Sequence, residues 1–369
     1  MLWIPGPTEV RPAIADELRL PMIGHRSAAM DRLLDRIDPG LRLAFGLELD
    51  SRATVAVATG SATSMMEGAL LGVGARVLAI VNGAFSKRWM EIARTLGKEV
   101  VSLDVSWGGA VGGAELAQVL SERGPFDAVT LVVCETSTGV LTPLAPVARA
   151  LAAHPETQLL VDVVSALAGV PVAFDSHRID FAVAGVNKAL ALPPGIAVVC
   201  ASERYLQRAR SVPRASWYLD PVKTIDGHAA RSTPTTPSIP LYAALARQLE
   251  DISAGVTLPA SERGKSGAAA WRARFAVHER MKARTLTWAA SHGLAPFPAP
   301  SLSAPTVSCI NSGTIDAGRL IAGLLAQGEE IATGYGHLKG KTFRIGHMGD
   351  HTEEGLARLL EKADDVLRG

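Results

Sequence analysis

Cysteine is scarce in this 369-residue chain, and the three present, Cys134, Cys200 and Cys309, are odd in number and far apart. Neither a disulfide framework nor a CxxC metal knuckle can be built from such a set, so the expectation is a metal-free protein in a reducing, cytoplasmic setting. A charge excess of one sign is missing as well, since 37 Lys+Arg against 36 Asp+Glu leave a net +1. Nucleic-acid binding needs a stronger positive field, so no such partner is expected. Long apolar runs are also lacking. Uncharged stretches are short and broken by Gly, Pro or polar residues, and MLWIPGPTEV has neither the basic start nor the apolar core of a signal peptide. Export and membrane spanning are not expected.

What is present is the balance of a globular protein, 48% hydrophobic and 20% charged. The length exceeds one comfortable core and suggests a large domain with a smaller one attached. Between about residues 50 and 200, short β-branched runs read as strands: RATVAVAT (52–59), RVLAIV (76–81), AVTLVVC (128–134), QLLVDVV (158–164), FAVAGV (181–186) and IAVVC (196–200). Several are apolar on both faces, as central strands of a mostly parallel, helix-covered sheet are. Residues 64–72 and 144–153 have the length of crossover helices, so a doubly wound α/β domain is the economical topology, with ligands at the carboxyl ends of the strands. Beyond about residue 250, long Ala/Arg/Leu-rich helical segments with strand-like stretches at 306–310 and 342–345 predict a separate α+β part. A basic cluster there, Arg263, Lys265, Arg272, Arg274, Arg280, Lys282 and Arg284, reads as the solvated face of a helix.

Polar residues at the strand ends are less ordinary. Gly60-Ser61-Ala62-Thr63 precedes Ser64 and Glu67, whose spacing is that of a capping box. The stretch is either a plain capped turn or a phosphate cup built on free N–H groups. Asp162 sits inside an apolar strand, where it needs a cationic partner or a helix to cap; a protonated heterocycle is the sharper candidate. Phe85 follows RVLAIV and either packs in a core or stacks on a planar ring. Glu135-Thr136-Ser137-Thr138 is a polar loop or a donor to a ring oxygen. Lys188, in GVNKALALPPG, is either an edge lysine that reaches water or a desolvated amine able to act as a nucleophile.

Taken in order, these parts resemble a fold-type I pyridoxal 5′-phosphate enzyme, and specifically the class V aminotransferases of the alanine/serine–glyoxylate (pyruvate) branch. PGPTEVRPAI and PMIGHRS resemble the family's N-terminal arm, ETSTGVLTPL its hydroxyl loop, VDVVSALAGVPV its aspartate strand, GVNKALALPPG its Schiff-base segment and KGKTFRIGHMGD the segment of its substrate arginine. The resemblance implies an arm at 1–14, a large cofactor domain at 15–254 and a small C-terminal domain at 255–369. It implies that Lys188 and Asp162 are catalytic, the lysine shuttling a proton and the aspartate holding the pyridine nitrogen. Phe85 and Val164 would flank the ring, Thr136 would approach its hydroxyl, and Ser61, Ala62 and Thr63 would cradle the phosphate, with Thr235 added from the neighbouring subunit of a homodimer. Arg344, with Gly6, would hold the substrate carboxylate. Ser232 stands where the family often has an aromatic, and Ala62 where it often has Gly.

The implied reaction is ping-pong transfer between a small amino acid, alanine or serine, and glyoxylate or pyruvate. Further cations near Arg344 in sequence, His337, Lys339, Lys341 and His347, keep phosphoserine and aspartate transaminases as alternatives within the class. A desulfurase needs a mobile nucleophilic cysteine, which three cysteines in or at the ends of strands do not offer.

Overall fold

A computed structural model describes residues 1–213 and 215–368; Arg214 and Gly369, inside the expected large and small domains, lie outside the described residues. After two helices, α1 (Pro12–Glu17) and α2 (Ala28–Phe45), strands and helices alternate: β1 (Thr54–Thr59), α3 (Ala62–Leu71), β2 (Arg76–Val81), α4 (Ala84–Thr95), β3 (Glu99–Asp104), α5 (Gly113–Arg123) and β4 (Ala128–Val132). A short hairpin, β5 (Cys134–Glu135) and β6 (Val140–Leu141), leads to α6 (Leu144–Leu151), then β7 (Gln158–Asp162), β8 (Phe181–Gly185) and β9 (Ile196–Ala201). Helices α7 (Glu203–Ser211), α8 (Pro221–Ala229), α9 (Ile239–Ser253) and α10 (Gly267–Ser291) follow. The chain ends with β10 (Val307–Asn311), α11 (Ala317–Ala326), β11 (Ala332–Thr333), β12 (Thr342–Gly346) and α12 (Glu353–Arg368).

Seven strands form the main sheet in the order β1-β9-β8-β7-β4-β2-β3. β9 runs antiparallel to both neighbours, while β8, β7, β4, β2 and β3 pair parallel. This is the mostly parallel α/β architecture expected. Its cause is visible in the strands, where successive side chains point to opposite faces. Val129, Leu131, Leu159 and Val161 enter one core cluster, whereas Ala128, Val132, Leu160 and Phe181 enter another, so both faces are buried. The reversals that return each strand to one edge bring the ends of β1, β2, β4, β7 and β8 together there.

The edge strand β3 (EVVSLD) was not anticipated, because its residues are partly or fully exposed although Val101 and Leu103 pack on one core cluster and Val100 on another. The 128–134 run is divided at Val133, whose N–H bonds to Asp162 O at 2.9 Å before the chain enters the β5/β6 hairpin. A second, three-stranded sheet, β10-β12-β11, packs with α10, α11 and α12 around its own cluster, and Trp3 of the N-terminal segment is buried in that cluster. We propose the same division at 15–254 and 255–369 for the two cores. Among the described residues no helix is long and apolar enough to cross a membrane.

The basic cluster departs from its reading as a solvated face. Arg274 is only 2% exposed and its charge meets Asp350 at 2.8 Å. Arg280, by contrast, pairs with Glu262 and Glu353 at the surface.

Candidate active site

Helix α3 begins three residues earlier than a Ser64 cap requires. Its N-cap is Ser61, whose side chain makes no capping bond, and Ser64 lies within the first turn with Oγ donating to Ser61 O at 2.7 Å. The Ser64/Glu67 capping box is therefore not formed. Gly60, at φ 139°, makes the turn from β1 into the helix, a conformation that a side chain would resist. The helix start is left with N–H groups that no side-chain cap answers, the arrangement that suits an anion. Ala62 and Thr63 stand in that first turn. Thr63 Oγ1 accepts from Arg88 Nη1 at 3.3 Å, and the same guanidinium lies 4.9 Å over the Phe85 ring.

Phe85 is held by a carboxylate. Glu135, fully buried at the start of the hydroxyl loop, accepts the N–H of Phe85 at 3.1 Å and of Ser86 at 3.0 Å, and the Ser137 hydroxyl at 2.6 Å. Its charge thus sits on the N-terminal end of α4, where the helix dipole favours it. Gly83 permits this approach, since a Cβ there would stand 2.3 Å from Glu135 Cγ.

Asp162 ends β7 and is 2% exposed. Its Oδ1 accepts the N–H of Val164 at 2.7 Å, and among the described residues no cation is in ion-pair contact with it. Burial pushes its carboxyl up to about 7, the nearby Glu135 charge adding to the rise, against the pull of the Val164 N–H, Lys188 and Arg88. A buried carboxyl in that state lacks a positive partner. Val164 lies close to Gly185, with Ala62 on the same side; a Cβ on Gly185 would come to 3.7 Å from Ala62 Cβ and 3.9 Å from Val164 Cγ1.

Lys188 follows β8, partly buried, and its Nζ donates to Pro5 O. Burial brings its amine down to about 8, and the Arg344 guanidinium acts in the same direction. Gly6, at φ 96°, passes so near that a Cβ would lie 2.5 Å from Lys188 Cδ. Arg344, on β12 and 8% exposed, donates from Nε to Thr333 O and from Nη1 to Thr136 O, both at 3.1 Å. Tyr335 lies beside it, with the guanidinium 5.5 Å from the ring centroid. No carboxylate is in ion-pair contact with Arg344 among the described residues, and burial lowers its pKa. Thr136 joins the parts, its hydroxyl 2.6 Å from Ser165 Oγ in the turn after the aspartate strand.

The chain therefore brings Ser61, Ala62, Thr63, Phe85, Thr136, Asp162, Val164, Lys188, Arg344 and Gly6 to one edge of the sheet. Thr235 instead lines a cleft with Thr59, Ser64 and Tyr218 of the same chain. Of the cations expected near Arg344, His347 is no anchor. It is fully buried, bonded to Ser308 Oγ at 2.8 Å, and pushed by burial to about 3, hence uncharged. His337 packs on Trp107 with ring centroids 4.2 Å apart, and Lys339 and Lys341 are exposed. The three cysteines are buried, and burial raises Cys134 to about 12 and Cys309 to about 11, so none offers a thiolate.

Glu135, Ser165, Arg88 and Tyr335 were not singled out in the sequence. Glu135 carried a signal, a charge directly after an apolar strand. Arg88 carried a weaker one, its i+3 spacing from Phe85 on a helix. Tyr335 comes from a distant segment and had none.

The residues present fit pyridoxal 5′-phosphate. Among the described residues there is a buried carboxyl without a cation in ion-pair contact, a desolvated amine, an uncapped helix start and a buried guanidinium without a carboxylate in ion-pair contact. Comparison with known proteins agrees. The family model for aminotransferase class-V matches residues 49–266. An uncharacterized aminotransferase of Methanocaldococcus jannaschii is 32% identical over 100% of this chain and 92% of its own length. An L-aspartate–glyoxylate aminotransferase of Paracoccus denitrificans is 30% identical, over 99% of this chain and 90% of its own. The crystal structure of an alanine–glyoxylate aminotransferase from Nostoc sp., 27% identical, superposes with a TM-score of 0.87 over 100% of this chain and 95% of that one.

Proposed function

Because the chain belongs to the class V aminotransferases, fold-type I enzymes that depend on pyridoxal 5′-phosphate, we propose that it transfers the amino group of alanine or serine to glyoxylate or pyruvate. The observation that carries this reading is Arg344, a buried guanidinium with no carboxylate in ion-pair contact among the described residues, whose charge reaches the Lys188 amine. A substrate carboxylate completes such a group bidentately and leaves the α-carbon near the lysine.

When bound, the cofactor supplies an aldehyde that condenses with amines and a ring that withdraws electrons from the carbon losing its proton. The protein does the rest. Lys188 Nζ, half neutral near pH 8, is the nucleophile toward that aldehyde and carries the proton off the substrate α-carbon. Asp162, ionised once it meets a cation, keeps the ring nitrogen protonated. Phe85 and Val164 would flank the ring, and the Thr136 hydroxyl would meet its oxygen. Ser61, Ala62 and Thr63 present the N-terminal end of α3 to the phosphate. Gly6 lets the chain pass against the Lys188 side chain, where a Cβ would stand 2.5 Å from Cδ, and would join Arg344 in holding the substrate carboxylate. We place the working site at the interface of a homodimer, with Thr235 reaching the partner's phosphate cup.

Small donors are favoured because His347 is neutral and His337, Lys339 and Lys341 are turned to other contacts or to solvent. One observation favours aspartate within the same class. Arg88 is a second guanidinium at the site with no carboxylate in ion-pair contact among the described residues, and the Paracoccus relative is named for an aspartate donor. Phosphoserine stands with aspartate as an acidic donor. Mixing the holoenzyme with single amino acids and following loss of its visible absorbance decides between them. Alanine or serine should discharge it faster than aspartate or phosphoserine; the reverse order overturns the small-donor reading.

A further inference from the structure

Arg274 lies on α10, away from the pocket, yet each N–H of its guanidinium has an acceptor. Nε donates to Ala168 O at 3.0 Å; Nη1 donates to Thr257 Oγ1 at 3.0 Å and Asp350 Oδ1 at 2.8 Å; Nη2 donates to Ala189 O at 2.6 Å and Gly349 O at 2.8 Å. Three of these acceptors are carbonyls on the segments that carry the chemistry. Ala168 closes the turn after Asp162, Ala189 follows Lys188, and Gly349 lies on the loop that leaves the Arg344 strand.

Those segments are not relaxed. Ala168 at φ 67° and Ala191 at φ 53° occupy the left-handed region that alanine avoids, and Ala191 N–H closes the lysine turn onto Lys188 O at 2.8 Å. Such residues persist only where the surroundings over-determine them, and they collect at functional sites. Gly349, at φ 83°, lies directly against the turn, since a Cβ there would stand 3.3 Å from Ala191 Cβ and 3.6 Å from Lys188 O. Asp350 in turn holds Arg11 Nε at 2.5 Å and Gln248 Nε2 at 2.9 Å, tying the N-terminal segment and α9 into the same knot.

We propose that Arg274 is a positioning residue for transamination, one planar guanidinium that sets Lys188, Asp162 and Arg344 in mutual register. The reading rests on the roles given above to those three. A lysine at 274 keeps the charge for Asp350, but its three donors on one flexible nitrogen cannot span carbonyls on three separate segments.

The test is Arg274→Lys holoenzyme, compared with wild type at a temperature where circular dichroism shows both folded. The amino-donor kcat/KM should fall about 10- to 100-fold, the scale of a small misplacement of reacting groups. The pH midpoint of the bound cofactor's visible band should move upward, because a loosened turn lets water reach Lys188 Nζ and relieves its desolvation. A purely structural role lowers the melting temperature and leaves that midpoint in place. Thr257→Val, which removes one acceptor from Nη1, should shift both quantities in the same direction by less, and it serves if Arg274→Lys does not fold. A folded variant with unchanged kcat/KM and midpoint overturns the proposal. Should Lys188→Ala retain wild-type turnover, the roles of the site residues and of Arg274 fall together; with Lys188 essential, an unmoved midpoint removes Arg274 alone.

Discussion

At Lys188, burial and the Arg344 guanidinium act on the same amine, and both disfavour its charge. The neutral, nucleophilic form therefore prevails above about pH 8, well below the ordinary range of lysine. Cofactor-free protein should take up pyridoxal 5′-phosphate with a rate that rises with pH around that midpoint, read by stopped-flow absorbance. Arg344→Met should move the midpoint upward, by loss of the second cause, and should weaken amino-acid and oxo-acid binding together by about 1.5–3 kcal/mol, the range for hydrogen bonds to charged groups. At Asp162 the sign is opposite, burial favouring the neutral acid. Asp162→Asn matches that acid in size but cannot become an anion, so the variant should bind cofactor and lose most turnover, about 100-fold or more. Equal kcat in the two proteins would remove Asp162 from the mechanism.

Among the elements, α4 and the β5/β6 hairpin are joined chiefly through Glu135, with the Ala84 N–H also donating to Ser137 Oγ at 3.1 Å. The Glu135 side chain satisfies two N–H groups of the first turn of α4 and the Ser137 hydroxyl of the hairpin loop. In Glu135→Gln one carboxylate oxygen becomes an NH2 facing donors, which leaves buried groups unpaired at a cost of about 1–3 kcal/mol. Urea unfolding should show that loss. Because the same contact places Phe85, cofactor affinity should fall as well, measured by titrating cofactor-free protein. Stability lost with affinity unchanged would mean that Phe85 is positioned by other contacts. The helix starts also show where sequence reasoning errs. Ser64 and Glu67 have capping-box spacing, but Gly60 turns the chain early and α3 starts at Ala62.

For the whole molecule, the prediction concerns Thr235, which in its own chain lies beside Thr59 and Ser64. If it serves the partner's site, a heterodimer of one Lys188→Ala chain and one Thr235→Val chain keeps one intact site, formed by Lys188 of one chain and Thr235 of the other. Co-refolding the two weakened variants should then restore activity above either alone. No recovery would place Thr235 in the site of its own chain. Trp217 and Tyr218, 62% and 55% exposed near this segment, are the apolar surface that such a dimer would cover.

The strands β1, β2, β4, β7, β8 and β9 were legible because their apolar runs, buried on both faces, can satisfy their surroundings only inside a covered sheet. That Lys188, Asp162, the hydroxyl loop and the start of α3 stand out at the strand ends was legible because polar residues at the ends of such runs need a reason; the roles given to them are those proposed above. The partners of those residues were not. Nothing local pairs Arg274 with Ala168, Ala189 and Gly349, or Arg344 with Thr136, since these contacts span 106, 85, 75 and 208 positions. Nor does composition reveal that His347 is neutral or that Arg274 is buried. Charge state and burial depend on what folds around a side chain, and that is a property of the packed whole.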